Sequence, residues 1–476
     1  MNDAETQFDL LAIGGGFAGL SAACRAAELG LKAAVLEKEE AERYLCNSRY
    51  TSGVFVVMGR HALSPAEELE KAILEGTGST ARPELVHALA SNARRTVDWM
   101  REQGARLLEA QASEGKQLIL APPRRFVEGL DWEGRGGDVT LRKLTANLLE
   151  RGGRLILGAK AQSLAMEDGA CVGLNALQAG RSITYRAQAV VIADGGFQAN
   201  AEMVRRYISP RPERLLVRAA PGGQGDGIRM AEAVGAATSG YGSFYGHLQH
   251  RDALSNDRLW PYPHLDSIAA VSVLVGPDGK RFTDEGLGGV CMANALARLD
   301  DPLGASVLFD DAVWTGEPGR ARPVGPNPYL MSAGGGMFSA SDIRALAQQA
   351  KLPADALLGT VRAYNGAVAK NSLGDLDPPR TAAKFKPLPL MKPPFHAVAL
   401  CAGITGTMGG IEINADAQAL GRDGRAIPGL YVAGTPVSGL EGGPRAGYVG
   451  GLSKAFVLGL IAADHIARTA RRAPSA

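Results

Sequence analysis

The glycines at the start of the chain have the spacing of a nucleotide-binding loop. Gly14, Gly16 and Gly19 lie in the segment GGGFAG, and Glu37 follows further along. In such a loop the first glycine allows a tight turn, the second lets a pyrophosphate approach the backbone, and the third permits close packing of helix on strand. A carboxylate at the position of Glu37 accepts hydrogen bonds from a ribose diol and disfavours a 2′-phosphate.

The elements that must position these residues are a strand, a helix and a second strand. Residues 8–13 (FDLLAI) have the continuous apolar pattern of a buried strand, residues 20–29 have a small-residue helix pattern, and residues 32–36 predict another strand. This order is that of a complete βαβ unit, whose helix N-terminus faces the phosphates. We therefore predict an α/β fold with a Rossmann-like nucleotide domain.

A second glycine-rich segment near the end of the chain favours FAD over NAD. Residues 426–433 (AIPGLYVA) predict a buried strand that runs into Gly434, and a helix is predicted from about Leu452. FAD-binding folds commonly close on the isoalloxazine with such a segment. The positive end of that helix would face the flavin N1–C2=O edge and favour the anionic reduced form.

Composition and cysteine spacing exclude several classes of protein. The chain has 51 Lys and Arg against 49 Asp and Glu, so no nucleic-acid partner is expected. The five cysteines form no CxxC motif, and His247 and His250 are spaced too loosely for a metal pair, so we predict no metal site. The longest apolar run, residues 455–463, is too short to span a bilayer. With no room for a signal peptide before the first strand, we expect a cytoplasmic protein.

The middle of the chain changes in texture and predicts an inserted domain. Residues 187–193 predict a strand leading to Asp194, and Asp226 opens a helix pattern. From about residue 236 to residue 390 the chain is richer in aromatics, prolines and isolated charges, as is typical of a separate unit. The predicted domains are a FAD-binding domain in two parts, residues 1–235 and 391–476, and a capping or substrate domain, residues 236–390.

Several segments together resemble the flavoprotein family of fumarate reductase and succinate dehydrogenase. They occur in the family's order along essentially the whole chain: VVIADGGFQAN (190–200), GDGIRMAEAVGA (225–236), GPDGKRFTDE (276–285), GTMGGIEIN (406–414) and IPGLYVAG (427–434). CNSRYTSG (46–53) and SGLEGGPRAGYVGGLS are most similar to tricarballylate dehydrogenase-like members. The resemblance implies a FAD domain of the glutathione reductase type with an inserted α+β capping domain that closes over the flavin.

The resemblance also implies a reaction. The substrate would lie against the flavin and exchange hydride with N5, while a protein group handles the proton on the neighbouring carbon. The expected reaction dehydrogenates a CH–CH bond, or reduces a C=C bond, of a small carboxylated substrate, with an external electron acceptor or redox partner. Two alternatives stay open: a ketosteroid-type dehydrogenase acting on a bulkier apolar ketone, and a flavin-binding protein without turnover of its own.

Carried over residue by residue, the family's catalytic site is only partly present. The proton-donor arginine of fumarate reductases corresponds to Gly289, and their histidine before TMGG corresponds to Gly406. Arg445 lies where these enzymes have a carboxylate-binding arginine, and His247 lies where they have a substrate-binding histidine. Simple fumarate reduction is therefore not expected. For His247, a satisfied histidine at the domain interface is the structural alternative.

Tyr448 is the remaining candidate for proton transfer. Some ketosteroid dehydrogenases of the family have a catalytic tyrosine in a similar G-Y-x-x-G setting. A phenol is a poor base near pH 7 unless its pKa is lowered, which Arg445 and the flavin-facing helix would do. In the structural alternatives Tyr448 only packs under the flavin, and Glu441 pairs with Arg445. The predicted catalytic residues are Arg445, Tyr448 and His247.

We predict that the flavin is held without a covalent bond. Succinate dehydrogenases attach it through a histidine after the second strand, but residues 47–53 contain none and the nearest is His61. Thr435 replaces a glutamate of many relatives, and its hydroxyl can still reach the ribityl chain. The residues predicted to contact FAD are Gly14, Gly16, Phe17, Ala18, Gly19, Glu37, Lys38, Asn47, Ser48, Ser52, Gly53, Asp194, Gly195, Asp226, Gly434, Thr435, Gly451, Leu452 and Ser453.

Overall fold

A computed structural model describes residues 6–112, 115–125, 127, 129–321 and 324–471 of the chain. The strands within this part, in chain order, are β1 (Gln7–Ile13), β2 (Ala33–Leu36), β3 (Val54–Val57), β4 (Arg60–His61), β5 (Leu107–Ala112), β6 (Gly115–Leu120), β7 (Arg154–Ile156), β8 (Ala159–Glu167), β9 (Ala170–Gln178), β10 (Arg181–Ile192), β11 (Leu216–Val217), β12 (Thr238–Ser239), β13 (Phe244–His250), β14 (Val273–Val275), β15 (Ser306–Asp310), β16 (Phe338–Ala340), β17 (Phe395–Thr407), β18 (Gly410–Ile411), β19 (Gln418–Leu420) and β20 (Ala426–Val432).

The α-helices of the same part are α1 (Phe17–Glu28), α2 (Asn47–Tyr50), α3 (Ala66–Thr77), α4 (Pro83–Glu102), α5 (Gly136–Glu150), α6 (Ala201–Tyr207), α7 (Asp226–Ala233), α8 (Asp266–Ala269), α9 (Gly289–Ala297), α10 (Asp311–Thr315), α11 (Pro326–Ser332), α12 (Ile343–Ala350), α13 (Ala354–Lys370) and α14 (Gly451–Ala470). Within the described ranges, none of these helices combines the length and the apolar character that crossing a bilayer requires.

The first sheet contains the predicted nucleotide unit. Its strand order is β19-β20-β10-β1-β2-β7, and β7, β2, β1, β10 and β20 run parallel. Strands β8 and β9 form an antiparallel hairpin that extends β10. The predicted strand–helix–strand order is confirmed, although α1 begins directly after Gly16 rather than near residue 20. The parallel sheet confirms the predicted α/β class.

Helices α1 and α14 pack together although they lie near opposite ends of the chain. The rings of Phe17 and Phe456 are 4.8 Å apart between centroids, and Arg25 Nε lies 2.8 Å from Asp464 Oδ1. A Cβ on Gly459 would come within 2.2 Å of Ser21 Oγ, so the close helix contact requires glycine there. This packing brings the N-terminus of α14 to the same part of the molecule as the nucleotide unit.

The second sheet is organised around β17. Strand β11 pairs with β17 in parallel, whereas β13, β15 and β16 pair with it in antiparallel fashion and β14 continues from β15. Smaller sheets join β12 to β18 and order β4-β3-β6-β5. Strands β13 to β16 lie inside the predicted insertion, whereas β17 begins at Phe395, after its predicted end. The domain boundaries stay a prediction.

Candidate functional site

The glycines of the loop between β1 and α1 differ in how much space a side chain would have at each position. A Cβ on Gly14, whose φ is +101°, would lie 2.7 Å from Asp194 Cα, and a Cβ on Gly19 would lie 2.1 Å from the Gly14 carbonyl oxygen. A Cβ on Gly16 would instead meet only Ser48 Oγ, at 3.2 Å, among the described atoms outside its immediate chain neighbours. The fold itself therefore requires Gly14 and Gly19, whereas Gly16 lines a surface on which a ligand can approach the backbone.

The N-terminus of α1 is suited to bind a phosphate. Its N-cap residue, Gly16, has no side chain to offer, and its first turn contains no acidic residue. Phe17 N donates to Ser48 Oγ at 2.9 Å, so a hydroxyl stands beside the exposed positive end of the helix. Glu37 lies at the end of β2, where its carboxylate accepts from Gly15 N at 2.9 Å and Glu39 N at 3.1 Å. This arrangement fits a dinucleotide.

Asp194 provides a second observation that fits a nucleotide. Its Oδ2 accepts from Gly227 N at 2.7 Å, whereas its buried Oδ1 has no hydrogen-bond partner among the described residues. Burial raises the pKa of Asp194 to about 6. A buried carboxylate oxygen without a partner is suited to accept a hydrogen bond from a hydroxyl group of a ribose or ribityl chain. Nearby, Lys38 Nζ donates to Gly222 O at 2.7 Å and lies 3.4 Å from Asp226 Oδ2.

Replacement of Asp194 by asparagine is expected to stabilise the apoprotein in a pH-dependent way. The pKa of the Asp194 carboxyl group is higher in the folded protein than in the unfolded chain. Protonation of this group therefore contributes stability that is fully present below about pH 4 and is lost as the pH rises through about 6. Asp194→Asn should therefore raise the free energy of unfolding by about 2 kcal/mol at pH 8, allowing for partial exposure of the carboxyl group, and change it little at pH 4. Urea unfolding of the wild-type and variant apoproteins at both pH values measures this difference in the free energy of unfolding.

A matched control for this prediction is Asp355→Asn, whose side chain is 89% exposed and pairs with Arg344 at the surface. It should change unfolding little at either pH. An equal gain at pH 4 and pH 8 from Asp194→Asn would contradict the inferred protonation of the folded state.

Some of the predicted flavin contacts lie near the N-termini of α1 and α14, and others connect neighbouring elements. A Cβ on Gly434 would lie 2.9 Å from Ala18 Cβ, so the end of β20 touches the start of α1. Thr435 lies beside Gly196, since a Cβ on Gly196 would lie 3.0 Å from the methyl group of Thr435. The Asn47 side chain donates to Thr405 O and accepts from Ala220 N, both at 2.9 Å, and so joins α2 to β17. The assignment of these residues to FAD stays a prediction.

Tyr448 lies at the N-terminus of α14, in surroundings that differ from the sequence-based prediction. Gly451 N donates to its hydroxyl oxygen at 2.6 Å, and its ring stacks on that of Tyr245 with centroids 3.7 Å apart at an angle of 11°. Burial, reinforced by Tyr245 and Glu441, raises the pKa of Tyr448 well above its usual value. The prediction that its neighbours lower this pKa is wrong, because burial outweighs the helix N–H.

Arg445 has no carboxylate partner in the described part of the chain. Its side chain is exposed, and its Nη1 donates to Glu75 O at 3.3 Å. The alternative that Glu441 pairs with Arg445 is wrong, since Glu441 forms a buried ion pair with Lys454 and accepts from Val449 N. The carboxylate-binding role of Arg445 stays a prediction, and its guanidinium is directed towards α3.

His247 lies in a cluster of polar and aromatic side chains. Its Nδ1 is 2.6 Å from Asp266 Oδ2, its Nε2 is 3.1 Å from Tyr245 Oη, and its ring stacks on His264 at 4.5 Å. Although burial opposes it, the two histidines and the hydrogen bonds from His247 and Leu248 N lower the pKa of Asp266 to about 2. Burial lowers the pKa of His264 to about 3, so this histidine is neutral.

Two buried arginines lie next to the cluster around His247. Arg124 and Arg218 are 7% and 9% exposed, and each guanidinium lies 5.7 Å from the centroid of the Tyr262 ring, which is itself 5.7 Å from His264. Arg218 donates to Thr405 Oγ1 at 3.0 Å and to Pro261 O at 3.1 Å. Neither arginine forms an ion pair with any carboxylate of the described ranges.

The sequence predicts His247 as a site residue but not its partners Asp266, Tyr245 and His264. Tyr245 and His247 are two residues apart on β13, so they share one face of the strand, whereas Phe244, Gly246 and Leu248 face the core. That alternation was a usable signal. Arg124 and Arg218 stand in no motif, and only the folded chain brings them together.

Comparison with known proteins identifies the family to which the chain is similar. A family model described as FAD binding domain matches residues 9–447. NADH:fumarate oxidoreductase from Klebsiella pneumoniae (strain 342) is 28% identical over 99% of this chain, which spans only 49% of that protein. Fumarate reductase (cytochrome) from Shewanella frigidimarina is 26% identical over 98% of this chain and 78% of its own length. The solved structure of 3-ketosteroid-Δ4-(5α)-dehydrogenase from Rhodococcus jostii RHA1 shares the fold, with a TM-score of 0.74, 21% identity and 97% coverage of both chains.

Proposed function

The chain belongs to the family of FAD-binding domains, and from that premise we propose that it is a flavin-dependent oxidoreductase. The proposed reaction dehydrogenates a CH–CH bond, or reduces a C=C bond, of a small carboxylated substrate. Bound FAD would accept or donate the hydride at N5. An external electron acceptor or redox partner completes the cycle, and the relatives named for fumarate reduction support this reaction class. A cytoplasmic location and the lack of a nucleic-acid partner stay predictions.

The observation that carries this proposal is the pair of buried arginines. A buried guanidinium without an acidic partner is costly, so Arg124 and Arg218 together favour a ligand that brings negative charge. Arg124 Nε and Nη1 donate to the carbonyl oxygens of Asp131 and Tyr50. Arg218 Nε is buried and has no hydrogen-bond partner among the described residues, so it can donate to a carboxylate oxygen. Because Tyr262 and His264 connect them to the His247 cluster, a carboxylate held there would lie on the side of the groups that can move a proton.

The structure also supports noncovalent binding as a proposal. Residues 47–53 provide no histidine, and His61 Nδ1 accepts from Leu63 N at 3.2 Å within its own turn. The α14 N-terminus would stabilise negative charge on the bound cofactor. Acid precipitation is expected to release the flavin into the supernatant. Colour that stays with the precipitated protein would contradict this part of the proposal.

A ketosteroid-type dehydrogenase is the second candidate. The stacked rings of Tyr245 and Tyr448 provide an aromatic surface of the kind that an apolar ketone would contact. Charge separates the two candidates, and the buried Arg124 and Arg218 favour the carboxylated substrate. A flavin-binding protein without turnover would leave the histidine and arginine clusters without a role.

The deciding experiment follows the flavin spectrum under anaerobic conditions. The purified flavoprotein is mixed with saturated carboxylic acids and with ketosteroids, and the chemically reduced protein is mixed with the corresponding unsaturated acids. Bleaching by saturated acids, or reoxidation by unsaturated acids, supports the proposal. Bleaching by ketosteroids alone supports the second candidate. A flavin that responds to neither class contradicts both.

A further inference from the structure

Three side chains on β13 and α8 form a continuous line of hydrogen bonds. Asp266 Oδ2 is 2.6 Å from His247 Nδ1, and His247 Nε2 is 3.1 Å from Tyr245 Oη. Leu248 N donates to the other carboxylate oxygen at 2.9 Å and holds it in place. The line therefore runs from a fixed carboxylate, through an imidazole, to a phenol.

The chemistry of the three groups sets the direction of each hydrogen bond. The ionised carboxylate of Asp266 only accepts, so His247 Nδ1 carries the hydrogen and its Nε2 has the lone pair. Tyr245 therefore donates its phenolic hydrogen to Nε2. An imidazole placed this way can accept that proton, because Asp266 stabilises the imidazolium, by the same logic as an Asp–His–nucleophile triad.

We infer that Tyr245 is the residue that exchanges a proton with the substrate, and that His247 and Asp266 position and activate it. This inference rests on the proposed function. In the dehydrogenation direction, Tyr245 Oη would take the proton from one carbon as its own hydrogen passes to His247 Nε2, and bound FAD would accept the hydride from the neighbouring carbon. The C=C bond forms from the electron pair of the broken C–H bond, and the imidazolium later releases its proton to solvent.

The two glycines at the family's catalytic positions lie directly beside this triad. A Cβ on Gly289 would be 1.9 Å from Asp266 Oδ2, so Asp266 occupies the space that a side chain there would need. Gly406 is the cross-strand partner of Tyr245 in the pairing of β13 with β17. The loss of both side chains is thus accounted for by a different proton-transfer group in the same place.

The geometry favours a proton-transfer role over a metal site. His247, His264 and Asp266 have donor atoms close together, but the two imidazole planes are only 10° from parallel with centroids 4.5 Å apart. Imidazole nitrogens bind a metal through lone pairs in the ring plane, and two stacked planes cannot both contain one ion. Neutral His264 therefore supports the ring of His247 and does not compete for its proton.

The first test needs no turnover and no substrate. In protein labelled with ¹⁵N-histidine, His247 is expected to show a strongly downfield Nδ1 proton and an unprotonated Nε2. Asp266→Asn should abolish the downfield proton. Tyr245→Phe should keep it but shift the Nε2 resonance, because the phenol donor is lost. A wild-type spectrum with the proton on Nε2 would overturn the inference whatever the enzyme does.

The second test measures the rate of flavin reduction with a substrate found in the anaerobic screen. Tyr245→Phe and Asp266→Asn are each expected to slow this step by about 10²-fold or more, with flavin content unchanged. Tyr245→Phe should also keep the thermal stability, whereas Asp266→Asn should lower it, because the folded protein stabilises the ionised carboxylate. Tyr241→Phe is the matched control, since its phenol donates to Glu232 at 2.9 Å in another part of the molecule. It should keep the wild-type rate.

The outcomes separate this inference from the proposed function. If a substrate reduces the flavin and Tyr245→Phe stays within about threefold of the wild-type rate, the triad is wrong and the proposed function stands. If no acid or ketosteroid reduces the flavin while the histidine spectrum is as expected, the proposed function fails and the hydrogen-bonded triad survives as a structural fact.

Discussion

Replacing Gly16 by valine is expected to abolish FAD binding while leaving the apoprotein folded. Gly16 has φ −76° and ψ −179°, which any residue adopts. Among the described atoms outside its chain neighbours, its Cβ would meet only the movable hydroxyl of Ser48, at 3.2 Å. The methyl groups of valine would project where the pyrophosphate approaches the N-terminus of α1. Flavin absorbance per mole of purified protein should fall to background, whereas the melting temperature measured without FAD should match that of the wild-type apoprotein.

Two further glycine variants serve as controls for the expected loss of FAD binding in Gly16→Val. A Cβ on Gly19 would lie 2.1 Å from the Gly14 carbonyl oxygen, so Gly19→Ala should destabilise the fold itself. Gly359 is exposed on α13 with no described heavy atom near its Cβ position, so Gly359→Ala should be neutral or stabilising by about 0.5–1 kcal/mol. A Gly16→Val protein that keeps stoichiometric FAD would contradict the assignment of the loop.

Replacing Arg218 by glutamine is expected to weaken binding of the carboxylated substrate by about 10²-fold or more. The buried guanidinium would provide a charge-assisted partner for the carboxylate, and loss of one member of such a pair costs about 2–5 kcal/mol. The glutamine amide retains one donor near Thr405 and Pro261, so the fold and the flavin spectrum should be kept. Titration of the flavin spectrum with substrate, under conditions without turnover, gives the dissociation constant.

Arg445→Gln distinguishes the two arginines proposed for this role. If Arg218 anchors the carboxylate, the exposed Arg445 should matter far less, because its guanidinium contacts only a backbone carbonyl in the described part of the chain. A larger loss of affinity in Arg445→Gln than in Arg218→Gln would instead support the assignment made from the sequence and contradict the one made from the structure.

The nucleotide unit could be predicted from sequence because its signals are local. Strand β1, the glycine loop, α1 and β2 follow each other within residues 7–36, and each has its own period or turn residue. The pairing of Glu441 with Arg445 failed although the two residues are neighbours. Gly442 and Gly443 between them have φ of +97° and +71°, so the chain turns and directs the two side chains apart.

The candidate substrate site could be predicted only in part because its members come from separate segments. His247 was found through its motif, whereas Asp266 reaches it from α8 and Arg218 from the loop after β11. The pKa of Tyr448 was misjudged because a sequence shows which charges are nearby but not how deeply a phenol is buried. Burial and chain turns are properties of the folded chain, and no local pattern encodes them.

The packing of α1 on α14 has a consequence for how the protein is made. The apolar face of α1, including Phe17, is synthesised long before its partner Phe456, since 439 residues separate Arg25 from Asp464 in the contact between the same two helices. At about 5–20 residues per second, the ribosome leaves this face uncovered for tens of seconds. Such long-range closure slows folding and exposes the nascent chain to aggregation. Synthesis that stops before α14 would leave the apolar face of α1 around Phe17 without the helix that covers it.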